Sequence, residues 1–205
     1  MSGYIELHAH SAYSFAVGAC SPRKMVRGAK RLGLSGLALL DYDGVYGLME
    51  ARAAAREADL AFLPGCEFTL EDETHLPVIC RSDQGYSALT GAISAHHLAA
   101  GRREADRQNL DALASWAKGQ WLVLTGTRAG PLRRVLKHSG IAAAARFLEQ
   151  LKEMFGAENV AVEAALAGFD GEERLAAQLD HLARKTKLPC LLYTSDAADD
   201  SLRVD

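Results

Sequence analysis

Short apolar runs alternate with longer helical periods along this chain of 205 residues. Tyr4–Leu7 reads as a first strand. Ser21-Pro22 then supplies an N-cap followed by proline at the first helical position. Met25, Val26, Ala29 and Leu32 recur on one helical face before Gly33 stops it. The apolar run Gly36–Leu40 predicts a buried strand, Leu48–Ala58 an alanine-rich helix, and Ala61–Pro64 a strand leading into Gly65-Cys66-Glu67. Leu76–Cys80 predicts another strand, Tyr86–Leu98 a helix, and the polar stretch Gly101–Arg107 an exposed loop. A helix over Leu110–Ala117 and a strand over Trp121–Thr125 follow. Pro131 opens a short helix that His138-Ser139-Gly140 ends, and Ile141–Phe155 forms a longer amphipathic helix closing at Gly156. Val160–Glu163 reads as a strand and Glu172–Thr186 as the last clear helix.

Apolar strands separated by helices predict an α/β fold, with a parallel sheet covered by helices on its outer face. Roughly seven strands point to a closed or nearly closed barrel more than to an open sheet. No internal repeat is visible, and the length fits one domain with a real core.

Composition narrows the function classes. Hydrophobic residues make up 49% and charged residues 24%, an ordinary globular balance. No apolar run reaches the roughly 18 residues of a membrane span, and the start MSGYIELHAH has no basic leader, so a cytoplasmic protein without membrane contact is expected. The net charge is −3, and the basic pairs Arg102-Arg103 and Arg133-Arg134 read as solvated helix faces. A domain that grips DNA by itself usually carries a basic patch, so for any DNA contact most of the grip is expected to lie elsewhere. The cysteines Cys20, Cys66, Cys80 and Cys190 lack CxxC spacing and read as small buried apolar residues.

The candidate chemistry lies where strands end. The first strand runs into His8-Ala9-His10, and side chains two apart on a strand face the same side, so two imidazoles can share a metal site. The HxH spacing is weak by itself, since core or exposed histidines give it by chance. The next strand runs into Asp41-Tyr42-Asp43-Gly44, and Ala61–Pro64 runs into Glu67. One such acid is ordinary, because Asp-Gly often only makes a turn. Acids beyond buried apolar strands are costly to desolvate without a cation or hydrogen bonds. His8, His10, Asp41, Asp43 and Glu67, all at strand C-termini where parallel barrels build their sites, therefore predict a mixed nitrogen–oxygen metal site.

These residues also carry a resemblance. Tyr4–Gly47, reading YIELHAHSAYSFAVGACSPRKMVRGAKRLGLSGLALLDYDGVYG, resembles the opening of PHP (polymerase and histidinol phosphatase) domains in bacterial replicative polymerases. The Asp-x-Asp-Gly-Val-Tyr-Gly ending and Gly65-Cys66-Glu67 look most like the error-prone branch of DNA polymerase III alpha-subunit homologues. Leu122–Leu136 and Asn159–Pro189 follow that branch in order and spacing. The resemblance implies a PHP-type distorted parallel (β/α)7 barrel at the N-terminus of a DNA-directed DNA polymerase acting in damage-induced synthesis. It also implies an ancestral phosphoesterase site of up to three ions. His8 and His10 match its first two ligands and Glu67 a bridging carboxylate. Other family ligands are replaced: Val17 stands for an aspartate, Tyr42 for a histidine and Thr127 for a cysteine, and the histidine expected just after Val160–Glu163 is absent, with alanine or leucine in that stretch. Valine and tyrosine cannot substitute for a carboxylate and an imidazole. The resemblance thus implies weak or partial binding of a divalent metal (Zn, Mn or Mg), a domain without hydrolase activity of its own, and the rest of a polymerase chain as partner.

From Cys190 the chain reads CLLYTSDAADDSLRVD, and Cys190–Asp200 resembles the translation of a transposase mosaic-end adapter used in sequencing libraries. The expected boundaries are therefore a PHP domain over residues 1–189 and a foreign tail over 190–205. On this reading Asp196, Asp199 and Asp200 carry no function, although Asp196 sits near a family Asp-x-His. The tail is expected to pack poorly, with Leu191, Leu192 and Tyr193 able to dock as a chance strand. Two rival readings stay open: a free-standing, histidinol-phosphatase-like PHP phosphoesterase, and a plain α/β domain with incidental histidines.

Overall fold

A computed structural model describes residues 3–100, 107–166 and 170–194. Seven strands and six helices alternate among the described residues. The chain divides into two compact units, one running through Glu67 and the other beginning at Phe68.

The first unit holds β1 (Ile5–Ala9), α1 (Pro22–Arg31), β2 (Gly36–Leu39), α2 (Leu48–Ala58) and most of β3 (Ala61–Thr69). Its helix starts follow the chemistry read from the sequence: Ser21 caps α1 by accepting from the Lys24 amide, with Pro22 next. The three strands are parallel, β1 on β2 and β2 on β3. Every residue of β2 is buried, as its unbroken apolar run demands of a strand flanked on both sides and covered by helices. Val26 and Ala29 of α1 and Ala51 and Ala55 of α2 are each almost fully buried in this unit, where α1 packs on α2.

β3 is longer than its apolar stretch, running on through Gly65, Cys66 and Glu67. The pairing that extends it is a bridge between Tyr42 and Glu67, with Glu67 N–H donating to Asp41 O (3.2 Å) and Asp43 N–H to Glu67 O (3.0 Å). Backbone pairing with the chain beyond β2 therefore carries the strand past the point where hydrophobicity stops.

The second unit holds β4 (His75–Cys80), α3 (Asp83–Ala100), α4 (Leu110–Ala117), β5 (Trp121–Leu124), α5 (Pro131–Phe155), β6 (Val160–Leu166), α6 (Glu172–Thr186) and β7 (Cys190–Thr194). β5, β6 and β7 run parallel, but β4 is antiparallel to β5. That one reversal has a local cause. β3 and β4 are joined by a tight turn in which Leu70 N–H donates to Thr74 O (2.8 Å), far too short for the crossover that a parallel neighbour needs. The expected break in α5 falls at Gly140, whose φ of 75° and ψ of 179° interrupt the helix. Trp121, Leu132, Leu148, Val160, Val162, Leu179 and Leu182 fill the core of this unit. β7 pairs with β6 over five residues, from Val162–Cys190 to Leu166–Thr194, while Leu192 stays 53% exposed. The expected loop falls largely on residues 101–106, outside the described residues, as do Asp196, Asp199 and Asp200.

No described helix is long and apolar enough to cross a membrane.

Candidate metal centre

β1 and the residue just after it deliver the first two groups of the site, and β1 does so through an irregularity. Its register against β2 shifts between Glu6 and Ala9, where three steps on β1 face two on β2. Such an extra residue bends a strand and re-aims its side chains. The His8 amide in this bulge donates to Glu6 Oε1 (2.9 Å), so the backbone group displaced by the shift is satisfied by a side chain two residues earlier. Glu6 is buried, and its other oxygen accepts from the Tyr4 hydroxyl (3.2 Å), whose pKa is pushed up to about 12 by burial and then by Glu6 itself. Glu6 is not among the site residues expected from sequence; its only signal there is an acid inside an otherwise apolar strand.

His8, His10 and Glu67 converge. Their potential ligand atoms all lie within 4.8 Å of one another. One carboxylate oxygen, Glu67 Oε2, meets both imidazoles: 3.1 Å from His8 Nε2 and 2.5 Å from His10 Nε2. The two rings stand 5.2 Å apart. Burial works to raise the Glu67 pKa, but the charge and hydrogen bonds of His8 and His10 outweigh it and hold the carboxyl down at about 2. The group is thus an anion with two imidazoles aimed at it in a nearly dry setting.

The sign of that shift sets a pH dependence. A carboxyl held below its ordinary value stabilises the metal-free fold in full above about pH 4.5, and the contribution disappears as pH falls toward about 2. Urea midpoints measured from pH 6 to pH 2 should fall across that window, and Glu67→Gln should flatten this part of the curve. An unchanged slope in Glu67→Gln would remove the histidines' hold on the carboxylate.

The two aspartates predicted beside these ligands are placed differently. Asp41 is buried at 2% exposure, with its carboxylate occupied by Ser11 and Ser14. Asp43 sits in the left-handed region (φ 50°) at the turn before Gly44, and pairs through its backbone with Glu67. Among the described residues the cluster of potential metal ligands contains neither. Sequence position at a strand end could not separate these cases, because it does not say which way a side chain turns or what already holds it.

Tyr42 completes the surroundings, its ring 4.8 Å from that of His10. Burial, then Glu67 and Asp43, push its pKa up to about 12, so the phenol stays protonated near neutrality and offers no anionic oxygen. Val17 lies on the exposed turn after β1, and Thr127 sits in the turn after β5, its carbonyl accepting from Gly130 N–H (3.2 Å).

The donor set fits a divalent cation. Two imidazole nitrogens and a carboxylate oxygen, each able to approach to about 2.0–2.2 Å, are the ligands of zinc and related ions. The PHP domain profile matches residues 6–165.

The chain belongs to the PHP domain family.

Named relatives of this PHP domain are error-prone DNA polymerases. The one from Mycolicibacterium paratuberculosis is 41% identical over 190 residues, which cover 88% of this chain and 17% of that protein. The one from Nocardia farcinica is 35% identical over 243 residues, covering 93% and 21%. The chain thus spans about a fifth or less of the relatives it matches. Among solved structures, a putative metal-dependent phosphoesterase from Bifidobacterium adolescentis superposes with a TM-score of 0.62 at 18% identity, covering 100% of this chain and 98% of that one. An amidohydrolase from Chromobacterium violaceum gives 0.63 at 18% identity, covering 94% and 87%. These two likenesses show the mixed α/β fold, and the family match and the polymerase relatives bear out the resemblance read from the sequence.

Proposed function

We propose that this PHP domain is the N-terminal part of an error-prone DNA polymerase, serving there as a scaffold that contacts the rest of the polymerase chain and carrying a reduced metal site without hydrolase activity. The observation that carries this reading is the three-membered cluster of His8, His10 and Glu67 within 4.8 Å, set in a chain 41% identical to a named error-prone polymerase. DNA would be met through the parent polymerase, consistent with the net charge of −3 on this chain. The domain proper would comprise residues 1–189, which resequencing the source DNA across codon 189 tests.

His8, His10 and Glu67 would hold one divalent ion (Zn, Mn or Mg). Such an ion supplies Lewis acidity toward a phosphoryl oxygen when bound. Phosphoester hydrolysis by a two-metal site needs a second ion about 3.5–4 Å away. Val17, Tyr42 and Thr127 stand where the family holds further ligands. A valine brings no donor atom, and Tyr42 keeps its proton.

The fold neighbour described as a metal-dependent phosphoesterase supports the second reading, a free-standing phosphoesterase. Assays of the chain and of a His8→Ala, His10→Ala double variant, on a phosphomonoester and on single-stranded DNA with manganese or zinc, separate the two. Equal background rates are expected. Metal-dependent turnover that vanishes in the double variant would establish the hydrolase instead.

A further inference from the structure

His10 lies one residue beyond the end of β1, where the strand ladder no longer holds the backbone. The Leu40 amide still reaches Ala9 O (2.9 Å), but the next residues turn away from β2. What holds them is Asp41. Its Oδ1 accepts from the Ser11 amide (2.7 Å) and from Ser14 Oγ (2.7 Å), and its Oδ2 accepts from Ser11 Oγ (2.7 Å). Ser11 and Ser14 are fully buried. Each hydroxyl also accepts in return: Ser11 Oγ from the Tyr13 amide (3.2 Å) and Ser14 Oγ from the Tyr42 amide (3.2 Å). The network ties the residue after His10 to the residue before Tyr42, whose ring lies against His10.

Two glycines allow close packing here, Gly18 against the backbone of the Ser11 turn and Gly47 against the carboxylate itself. A β-carbon at Gly18 would come within 1.9 Å of Ser11 O. One at Gly47 would meet Pro22 Cγ at 2.7 Å and Asp41 Oδ2 at 3.0 Å. The turn after β1 thus closes on its own backbone, and the start of α2 on the buried acid.

We propose that Asp41 is the positioning residue of the metal centre: it binds no cation itself but holds the Ser11–Ser14 turn so that His10 faces Glu67. The proposal rests on the reading of His8, His10 and Glu67 as metal ligands. A buried carboxylate that accepts from three donors of one turn, and lies outside the ligand cluster, fixes the backbone on which a ligand stands. Outer partners of this kind typically govern metal affinity by about 10–100-fold.

Zinc affinity, read by competition with a chromophoric chelator well below the unfolding temperature, tests it beside thermal unfolding of the metal-free chain. Asp41→Ala is expected to weaken zinc binding by about 10–100-fold per folded molecule. Asp41→Asn should restore affinity to within a few-fold of the native chain, because its amide oxygen still accepts from Ser11 N–H and Ser14 Oγ while its nitrogen can donate to Ser11 Oγ. Should Asp41→Ala fail to fold, Ser14→Ala, which removes one arm of the network, carries the test with an expected several-fold loss. Native affinity in a folded Asp41→Ala or in Ser14→Ala would overturn the positioning role and leave the ligand assignment intact. A native chain with no zinc affinity would overturn both.

Discussion

Replacing both His8 and His10 with alanine is expected to abolish divalent-metal binding, and either single replacement to weaken it by at least about 100-fold, beyond what loss of an outer partner costs. Among the described residues the centre has three potential ligands, so each histidine is a third of that donor set. Glu67 alone would remain, a single buried carboxylate with no nitrogen donor. His10 stands closer to Glu67 Oε2 than His8 does (2.5 against 3.1 Å) and has no amide anchor on Glu6, so its loss should release the carboxylate more. Isothermal titration with zinc and with manganese, on protein shown to be folded, measures this directly. Undiminished affinity in the double variant would place the ion elsewhere and end the proposal for this centre.

The largest expected loss of stability is at Trp121. Its side chain is 1% exposed, its indole Nε1–H donates to Gly85 O (2.8 Å) and its ring lies 6.1 Å from that of Phe68. Trp121→Ala removes the largest fully buried side chain and leaves a cavity, costing about 3–5 kcal/mol. The hydrogen bond to the Gly85 carbonyl goes with it, which adds roughly 1 kcal/mol. In a chain of this size such a loss should lower Tm by roughly 10 °C or more. Trp121→Phe keeps most of the volume and should cost roughly half as much, since the hydrogen bond and part of the ring are lost. Calorimetry on the two variants separates the packing contribution from the hydrogen bond. A Trp121→Ala chain as stable as the native one would mean that this core collapses around the gap without cost.

The scaffold reading accounts for the pairing of a well-packed core with a sparse centre. An interior built from Trp121, Leu132, Leu148 and Val162 needs no cation to hold it, whereas hydrolysis depends on every ligand being present. On the proposed reading, loss of the ligands that Val17 and Thr127 replace would remove activity without removing the fold.

Much of this was legible in the sequence. Ser21-Pro22 before an apolar period marks a helix start by local chemistry alone, and α1 begins at Pro22. The bounds of α2 and α6 follow from composition and periodicity, because a helix satisfies its own backbone and buries one stripe. Seven strands alternating with helices, and the HxH pair at the end of the first, were equally visible. What the sequence could not hold was anything settled by a partner distant along the chain. β3 reaches Glu67 because residues 41–43 pair with it, and β4 reverses because its turn is short. The bulge in β1 depends on how β1 aligns with β2 and on Glu6 taking up the His8 amide. Asp41 and Glu67 look alike in sequence, each an acid after an apolar strand. Only the tertiary structure parts them, because two serine hydroxyls and an amide engage Asp41 while two imidazoles converge on Glu67. A carboxylate's role is set by which donors reach it first, and that is decided by packing.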